Sequence, residues 1–167
     1  KAIDRTAEVA EIRAALPSLR ATVVVPYLEP DPWRVAGAVP WAALLAEPGS
    51  TSLKPGSAGF EPVPFAHPLY ILYSSGTTGL PKAIVHGHGG ILLEHLKALA
   101  LHTNLGPADR FFWFTTTSWM MWNYLVSGLL VGATVVLFDG DPASPDLGSL
   151  WRLASDAEVT YFGTSAP

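Results

Sequence analysis

Strand-length apolar runs alternate with helical periodicity along this chain, and that alternation predicts an α/β fold, a layered, mostly parallel sheet with helices on both faces. Three observations carry the prediction. The runs at 21–25, 69–73, 111–114, 134–138 and 159–162 are rich in β-branched and aromatic residues and are bounded by glycine, proline or polar residues. Helix-length segments separate the later runs. A Ser/Thr/Gly-rich loop joins the run at 69–73 to a second short run at 83–85, which makes that pair an antiparallel hairpin inside a mainly parallel arrangement.

Taken in order, Asp4 is placed to cap a helix over about 5–16, with Val9, Ile12 and Leu16 on one face and Pro17 ending it. A short strand follows at 21–25. Residues 26–68 hold nine of the fifteen prolines, so this stretch is expected to be a mostly irregular excursion with one short helix at 41–46. An interdomain linker is the other reading. The excursion is preferred, because the strand at 69–73 needs a partner and 21–25 is the nearest candidate. After the loop, the strand at 84–86 leads through Gly89 and Gly90 into a helix over 91–101, apolar on nearly every side and therefore expected to be buried. Asn104, Gly106 and Pro107 stop it. A strand at 111–114, a helix at 119–131, a strand at 134–138, a helix at 147–154 and a strand at 159–162 complete the chain.

Composition narrows the function. A length of 167 residues at 49% hydrophobic is enough for a sizeable core of single-domain size. Net charge is −4, and no arginine lies between Arg34 and Arg110, so there is no basic stripe for nucleic acid. The absence of cysteine rules out a disulfide framework and a thiolate zinc site. The longest apolar stretch, 124–138, is interrupted by Ser127, Gly128, Gly132 and Thr134 and is too short for a membrane span. A soluble, cytoplasmic protein is expected. The chain opens on Lys1 and stops after a strand at Pro167, and both ends read as cuts in a longer protein.

The most informative stretch is Ser74-Ser75-Gly76-Thr77-Thr78-Gly79-Leu80-Pro81-Lys82. Its glycines let backbone approach a ligand closely, four hydroxyls and free N–H groups line the concavity, and Lys82 adds a mobile positive charge. That combination suits phosphate, whereas a plain turn needs neither the hydroxyls nor the lysine. The spacing is not that of the Walker loop, and the chain has neither a Gly-x-Gly-x-x-Gly fingerprint nor a Gly-x-Ser-x-Gly elbow. A kinase or GTPase is remote for the same reason.

A second constellation is Thr115-Thr116-Thr117-Ser118-Trp119-Met120-Met121-Trp122-Asn123. Hydroxyls at the end of an aromatic strand, followed by tryptophans and methionines, suit a concave apolar site with a few polar handles, although core packing accounts for much of the pattern. His86 and His88 flank a glycine as a metal pair would, but no third ligand is evident and no metal site is assigned. His88, His95 and His102 recur every seven residues, about 10.5 Å apart along a helix, too far to share an ion. They read as one polar stripe.

The run from Tyr73 to Lys82 resembles the signature phosphate loop of the adenylate-forming superfamily, which contains acyl-CoA synthetases, luciferases and peptide-synthetase adenylation domains. Residues 80–90, 111–117, 119–123 and 161–165 are similar to its acetoacetyl-CoA synthetase branch. The resemblance covers roughly residues 60–167, and Ser118 departs from it where glycine is usual. It implies part of the large N-terminal domain of an adenylate-forming enzyme, spanning 1–167 with the excursion at 26–68 and without the C-terminal domain. The implied reaction has two halves. A carboxylate attacks the α-phosphorus of ATP, with Mg2+, to give acyl-AMP and pyrophosphate, and the thiol of coenzyme A then displaces AMP.

The resemblance assigns Ser75, Gly76, Thr77, Thr78, Gly79 and Lys82 to the β- and γ-phosphates, with Lys82 catalytic and Ser74 contributing or only pinning the loop. It assigns Trp119, Met120 and Met121 to the acyl pocket, with Trp122 and Asn123 beside them. The expected partners are small molecules: ATP, a short keto acid and coenzyme A. Large pocket side chains favour a small acid over a fatty chain. The adenine and magnesium contacts and the lysine of the C-terminal domain come later in that family's sequences, so the 167 residues alone are expected to turn over nothing. An acetyl- or propionyl-type synthetase and an inert nucleotide-binding module are the alternatives.

Overall fold

A computed structural model of the chain describes residues 4–26, 35–46, 60–74 and 79–164. The chain divides into two units, Lys1–Glu61 and Pro62–Pro167.

In the first unit, helix α1 spans Thr6–Ala15. Asp4 anchors its start: one carboxylate oxygen accepts the Thr6 backbone N–H at 2.9 Å and the Thr6 hydroxyl at 2.6 Å. Glu8 in the first turn and Arg13 in the last complement the helix dipole. The expected apolar face is only half used, because Val9 is half-buried while Ile12 and Leu16 are exposed. Strand β1, Val23–Val24, pairs in parallel with β2, Val39–Pro40, and helix α2, Trp41–Ala46, follows directly. This corrects the expected pairing of 21–25 with 69–73. Val39, inside the stretch read as irregular, offers a β-branched partner that the prolines around it concealed.

The second unit begins with a hairpin. Strands β3, Pro68–Ser74, and β4, Lys82–Gly87, pair antiparallel from Ser74↔Lys82 to Pro68↔Gly87, with one irregularity between Pro68 and Tyr70. Helix α3, His88–Leu96, continues as a π-helical turn over Lys97–His102. The Thr103 hydroxyl closes that turn on the Leu99 carbonyl at 2.7 Å. The helix starts three residues before the expected position, and it is not buried all round. Leu99 is fully buried, whereas Leu92, Leu93 and Leu101 are exposed. The polar-stripe reading also fails at His95, which is buried edge-on to the Tyr124 ring at 6.0 Å.

Strand β5, Arg110–Trp113, is central in a parallel three-stranded sheet of order β6-β5-β7, where β6 is Thr134–Val136 and β7 is Tyr161–Gly163. Adjacent residues of β5 point to opposite faces. Phe111 packs with Leu99, Leu105, Leu125 and Ala133 beneath α3 and α4, the latter spanning Met121–Val126. Phe112 meets Phe162 across the sheet at 5.0 Å, and Trp151 of helix α5, Ser149–Asp156, stacks on Phe162 at 5.0 Å and 17°. Helices therefore cover both faces of this parallel sheet. The expected helix at 119–131 is α-helical only over α4 and tightens to a 3₁₀ turn over Ser127–Val131, ended by Gly132 at φ +77°.

The sheet's amino end is tied off by polar bonds. Thr160 donates its hydroxyl to Asp109 at 2.8 Å and accepts the Arg110 backbone N–H at 2.9 Å, while the other Asp109 oxygen accepts the Gly106 N–H at 2.8 Å. The carboxyl ends of the strands are left to the loops, which is where α/β sheets place ligands.

Candidate functional site

The Ser/Thr/Gly-rich loop joins the ends of β3 and β4. Ser74 and Lys82 face each other as the last ladder pair, so the neck of the loop is fixed by strand hydrogen bonds. Ser75, Gly76, Thr77 and Thr78 lie outside the described residues. Gly79 is exposed, and a Cβ added there would meet nothing within 4 Å, which leaves room for a ligand to approach the backbone. Ser74 and Lys82 are both exposed, and alternation puts them on the same face of the hairpin as Leu72 and Ile84.

A cavity of about 470 Å³ lies beside this neck. Ile71, Leu72, Tyr73 and Ser74 of β3 form one wall, and Thr117, Ser118, Trp119, Met120 and Asn123 form the other. Helical geometry explains the second wall. Trp119 and Asn123 are four residues apart and so fall on one side of the turn that opens α4. Backbone bonds hold that turn, from Trp119 N–H to the Thr116 carbonyl at 3.1 Å and from Asn123 N–H to the Met120 carbonyl at 3.0 Å. The Thr116 and Ser118 hydroxyls are 2.9 Å apart and bond to each other.

The two residues placed beside the pocket, Trp122 and Asn123, separate here. Asn123 lines the cavity, half-buried, whereas Trp122 turns to a second hollow of about 450 Å³ with Thr115, Thr116, Phe138 and Asp139 at the ends of β5 and β6. Met121 is half-buried at the start of α4 and lines neither. The sequence reading missed Ile71, Leu72 and Tyr73 as cavity residues. The available signal was their position immediately before the loop, at the strand end nearest whatever the loop holds.

Among the described residues, no group of three or more His, Cys, Asp or Glu is placed to hold a metal ion. The histidines near the hairpin have other company. His86 lies 5.8 Å from the Tyr70 ring and His88 lies 5.6 Å from the His67 ring. No helix among the described residues is long and apolar enough to cross a membrane.

The parallel sheet, and the cavity of mixed polar and apolar lining beside the neck of the Ser/Thr/Gly-rich loop, are features that nucleotide-handling α/β enzymes share. Residues 1–166 match the AMP-binding enzyme family, and the chain belongs to it. It is 49% identical over 157 residues to an acetoacetyl-coenzyme A synthetase of Rhizobium meliloti (strain 1021), covering 93% of this chain and 24% of that protein. It is 42% identical over 174 residues to the malonamoyl-CoA synthetase vrtB of Penicillium aethiopicum, covering 93% of this chain and 23% of that protein. Among solved structures, an acetoacetyl-CoA synthetase from Streptomyces lividans matches with a TM-score of 0.85 and 53% identity, covering 99% of this chain and 24% of that one. The chain thus spans about a quarter of the length of these relatives, and the fold expected from the sequence is the one they share.

Proposed function

We propose that this chain forms the phosphate-holding and acid-holding part of an ATP-dependent acid–thiol ligase that activates acetoacetate and passes it to coenzyme A. The observation that carries the reading is the shared wall. Ser74 belongs both to the neck of the phosphate loop and to the cavity lined by Trp119, Met120 and Asn123. A carboxylate in the cavity therefore lies next to phosphates held in the loop, the arrangement an in-line attack on the α-phosphorus requires.

In this reading Ser75, Gly76, Thr77, Thr78 and Gly79 offer backbone N–H groups and hydroxyls to the β- and γ-phosphates. Lys82 places its ammonium against the charge that develops as pyrophosphate leaves. Trp119 and Met120 exclude water and limit the length of the acid. Magnesium travels with the nucleotide phosphates, where it neutralises charge, and no described residue of this chain is assigned to it. ATP, Mg2+ and coenzyme A are thus the reading's co-substrates and cofactor, and a cytoplasmic location goes with them.

The relatives also bear on the acid. Acetoacetate and malonamate, the acids implied by the names of the two curated relatives, share a carbonyl at the β position and a small terminal group. Acetate and propionate have no such carbonyl, so a β-oxo acid is favoured over an acetyl- or propionyl-type substrate. The test uses a protein of the relatives' full length that carries these 167 residues. Exchange of labelled pyrophosphate into ATP is compared with acetoacetate, malonamate, acetate, propionate, butyrate and 3-hydroxybutyrate. Strong exchange with acetoacetate is expected. Exchange with none of the acids would favour an inert nucleotide-binding module, and preference for acetate or propionate would favour the other synthetase type.

A further inference from the structure

We infer that Asn123 is the residue that reads the β-carbonyl of the acid, donating a hydrogen bond from its side-chain amide to that oxygen. The inference deepens the proposed ligase reading and rests on it. Five polar side chains line the cavity: Tyr73, Ser74, Thr117, Ser118 and Asn123. Four of them are poorly suited to the task. Ser74 sits at the hairpin neck opposite Lys82, at the end of the cavity where phosphate and carboxylate meet. Ser118 is already bonded to the Thr116 hydroxyl at 2.9 Å. Tyr73 is 70% exposed and Thr117 is exposed, so water competes for both hydroxyls.

Asn123 differs in each respect. It is half-buried, it sits on α4 and not in a loop, and its backbone is fixed by the bond to Met120. Its side-chain amide has no hydrogen-bond partner among the described residues, although it faces a cavity whose nearest neighbours on the same wall are the apolar Trp119 and Met120. Flanked by apolar Trp119 and Met120, the amide is open to a ligand carbonyl that takes the place of solvent on it. Trp119, one helical turn before Asn123, confines the carbon chain, so the amide lies where a short acid ends and not along a long one.

This predicts discrimination by hydrogen bonding more than by size. Butyrate has the length of acetoacetate with a methylene where the carbonyl stands. A site built to bond an oxygen rejects the analogue lacking it, because its own polar group is then left unpaired.

The experiment measures kcat/KM for acetoacetate and butyrate in pyrophosphate exchange, using the relative-length protein and its Asn123→Leu and Asn123→Asp variants. Leu removes the donor and keeps the volume, and Asp keeps the shape while replacing the N–H donor by an acceptor. The parent is expected to prefer acetoacetate by about a hundredfold or more. In both variants the acetoacetate-to-butyrate ratio is expected to fall by about ten- to a hundredfold. An equal fall for both acids would make Asn123 a structural residue and overturn the inference, as would an unchanged ratio in either variant. If Leu proves inactive through misfolding, the Asp ratio decides alone. Should the parent show no preference for acetoacetate, the ligase reading itself fails, which is a different result from a parent that prefers it and variants that keep the preference.

Discussion

Lys82 and His95 carry opposite lessons about single residues. Lys82 is exposed at the end of a strand ladder, so replacing it by methionine removes charge without disturbing packing. Loss of one preorganised charge donor lowers the adenylating half-reaction by about 10²- to 10³-fold. Pyrophosphate exchange in the relative-length protein is expected to fall by that factor for Lys82→Met while its thermal midpoint holds. An unchanged exchange rate would remove Lys82 from the catalytic role. His95 works through burial. Desolvation beneath Tyr124 pushes its imidazole below the usual histidine range, a trend that nearby His86 furthers and Glu94 opposes. The folded state thus binds this proton less readily than the unfolded state, which titrates near 6.5. The stability contribution is complete above that value and is lost as pH falls below it. Denaturant unfolding between about pH 7 and pH 5 is expected to show falling stability, with a shallower fall for His95→Leu. A steeper fall in the variant would contradict the assignment. Nothing in the local sequence distinguishes His95 from His102, since the seven-residue spacing puts both on one stripe. The fold separates them, because His95 lies under Tyr124 while His102 closes the exposed end of the π-turn.

Two glycines show how an element decides the cost of a substitution. A Cβ at Gly163 of β7 would come within 2.1 Å of the Trp113 ring, and a Cβ at Gly89 of α3 would come equally close to the Phe65 ring. The two neighbours are not alike. Trp113 is half-buried in the parallel sheet with its Nε1 buried and Tyr124 edge-on at 5.7 Å, so its ring has little room to shift. Phe65 is 65% exposed, so its ring has solvent to turn into, although its carbonyl accepts the Gly89 N–H at 2.9 Å and holds its backbone against the helix. Gly163→Ala is expected to destabilise the unit by about 1–3 kcal/mol through overpacking. Gly89→Ala is expected to cost less, about 1 kcal/mol or below, because the exposed ring turns outward and helix propensity offsets part of the shift. Denaturant midpoints for the two variants check the contrast, and equal losses would refute it. Elements of this kind were largely legible in the sequence. The strands of the parallel sheet stand within one or two residues of their apolar runs, and α2 spans the residues expected for it, because each is bounded by glycine, proline or polar residues that stop pairing. The β3–β4 pairing was legible from the short loop between its runs, but the partner of β1 was not. Val23 and Val24 satisfy any ladder by composition, and only the fold brings Val39 alongside.

At the scale of the whole chain, the candidate site is assembled but open. The loop neck and the cavity wall come together within one unit, yet Trp119 is 41% exposed and Met120 47% exposed at the cavity, and the hairpin behind it leaves Ile71 53% and Val85 56% exposed. Ile71 and Val85 are register partners and share one face with Tyr73, itself 70% exposed, so an apolar sheet face borders the site. Charge stabilisation depends on excluding water, and a lysine acting across an open cavity in a high dielectric contributes little. The relatives extend to about four times this length, which supplies the material to cover such a face. The 167 residues by themselves are therefore expected to release no pyrophosphate in an acid-dependent way, and to bind a hydrophobic dye such as anilinonaphthalene sulfonate more strongly than the relative-length protein does. Both are read on matched molar amounts, the first by a coupled pyrophosphate assay and the second by fluorescence. Acid-dependent pyrophosphate release from the 167 residues would show that the loop and cavity suffice for adenylation. Equal dye binding would show that the Ile71–Val85 face is not what the additional length covers.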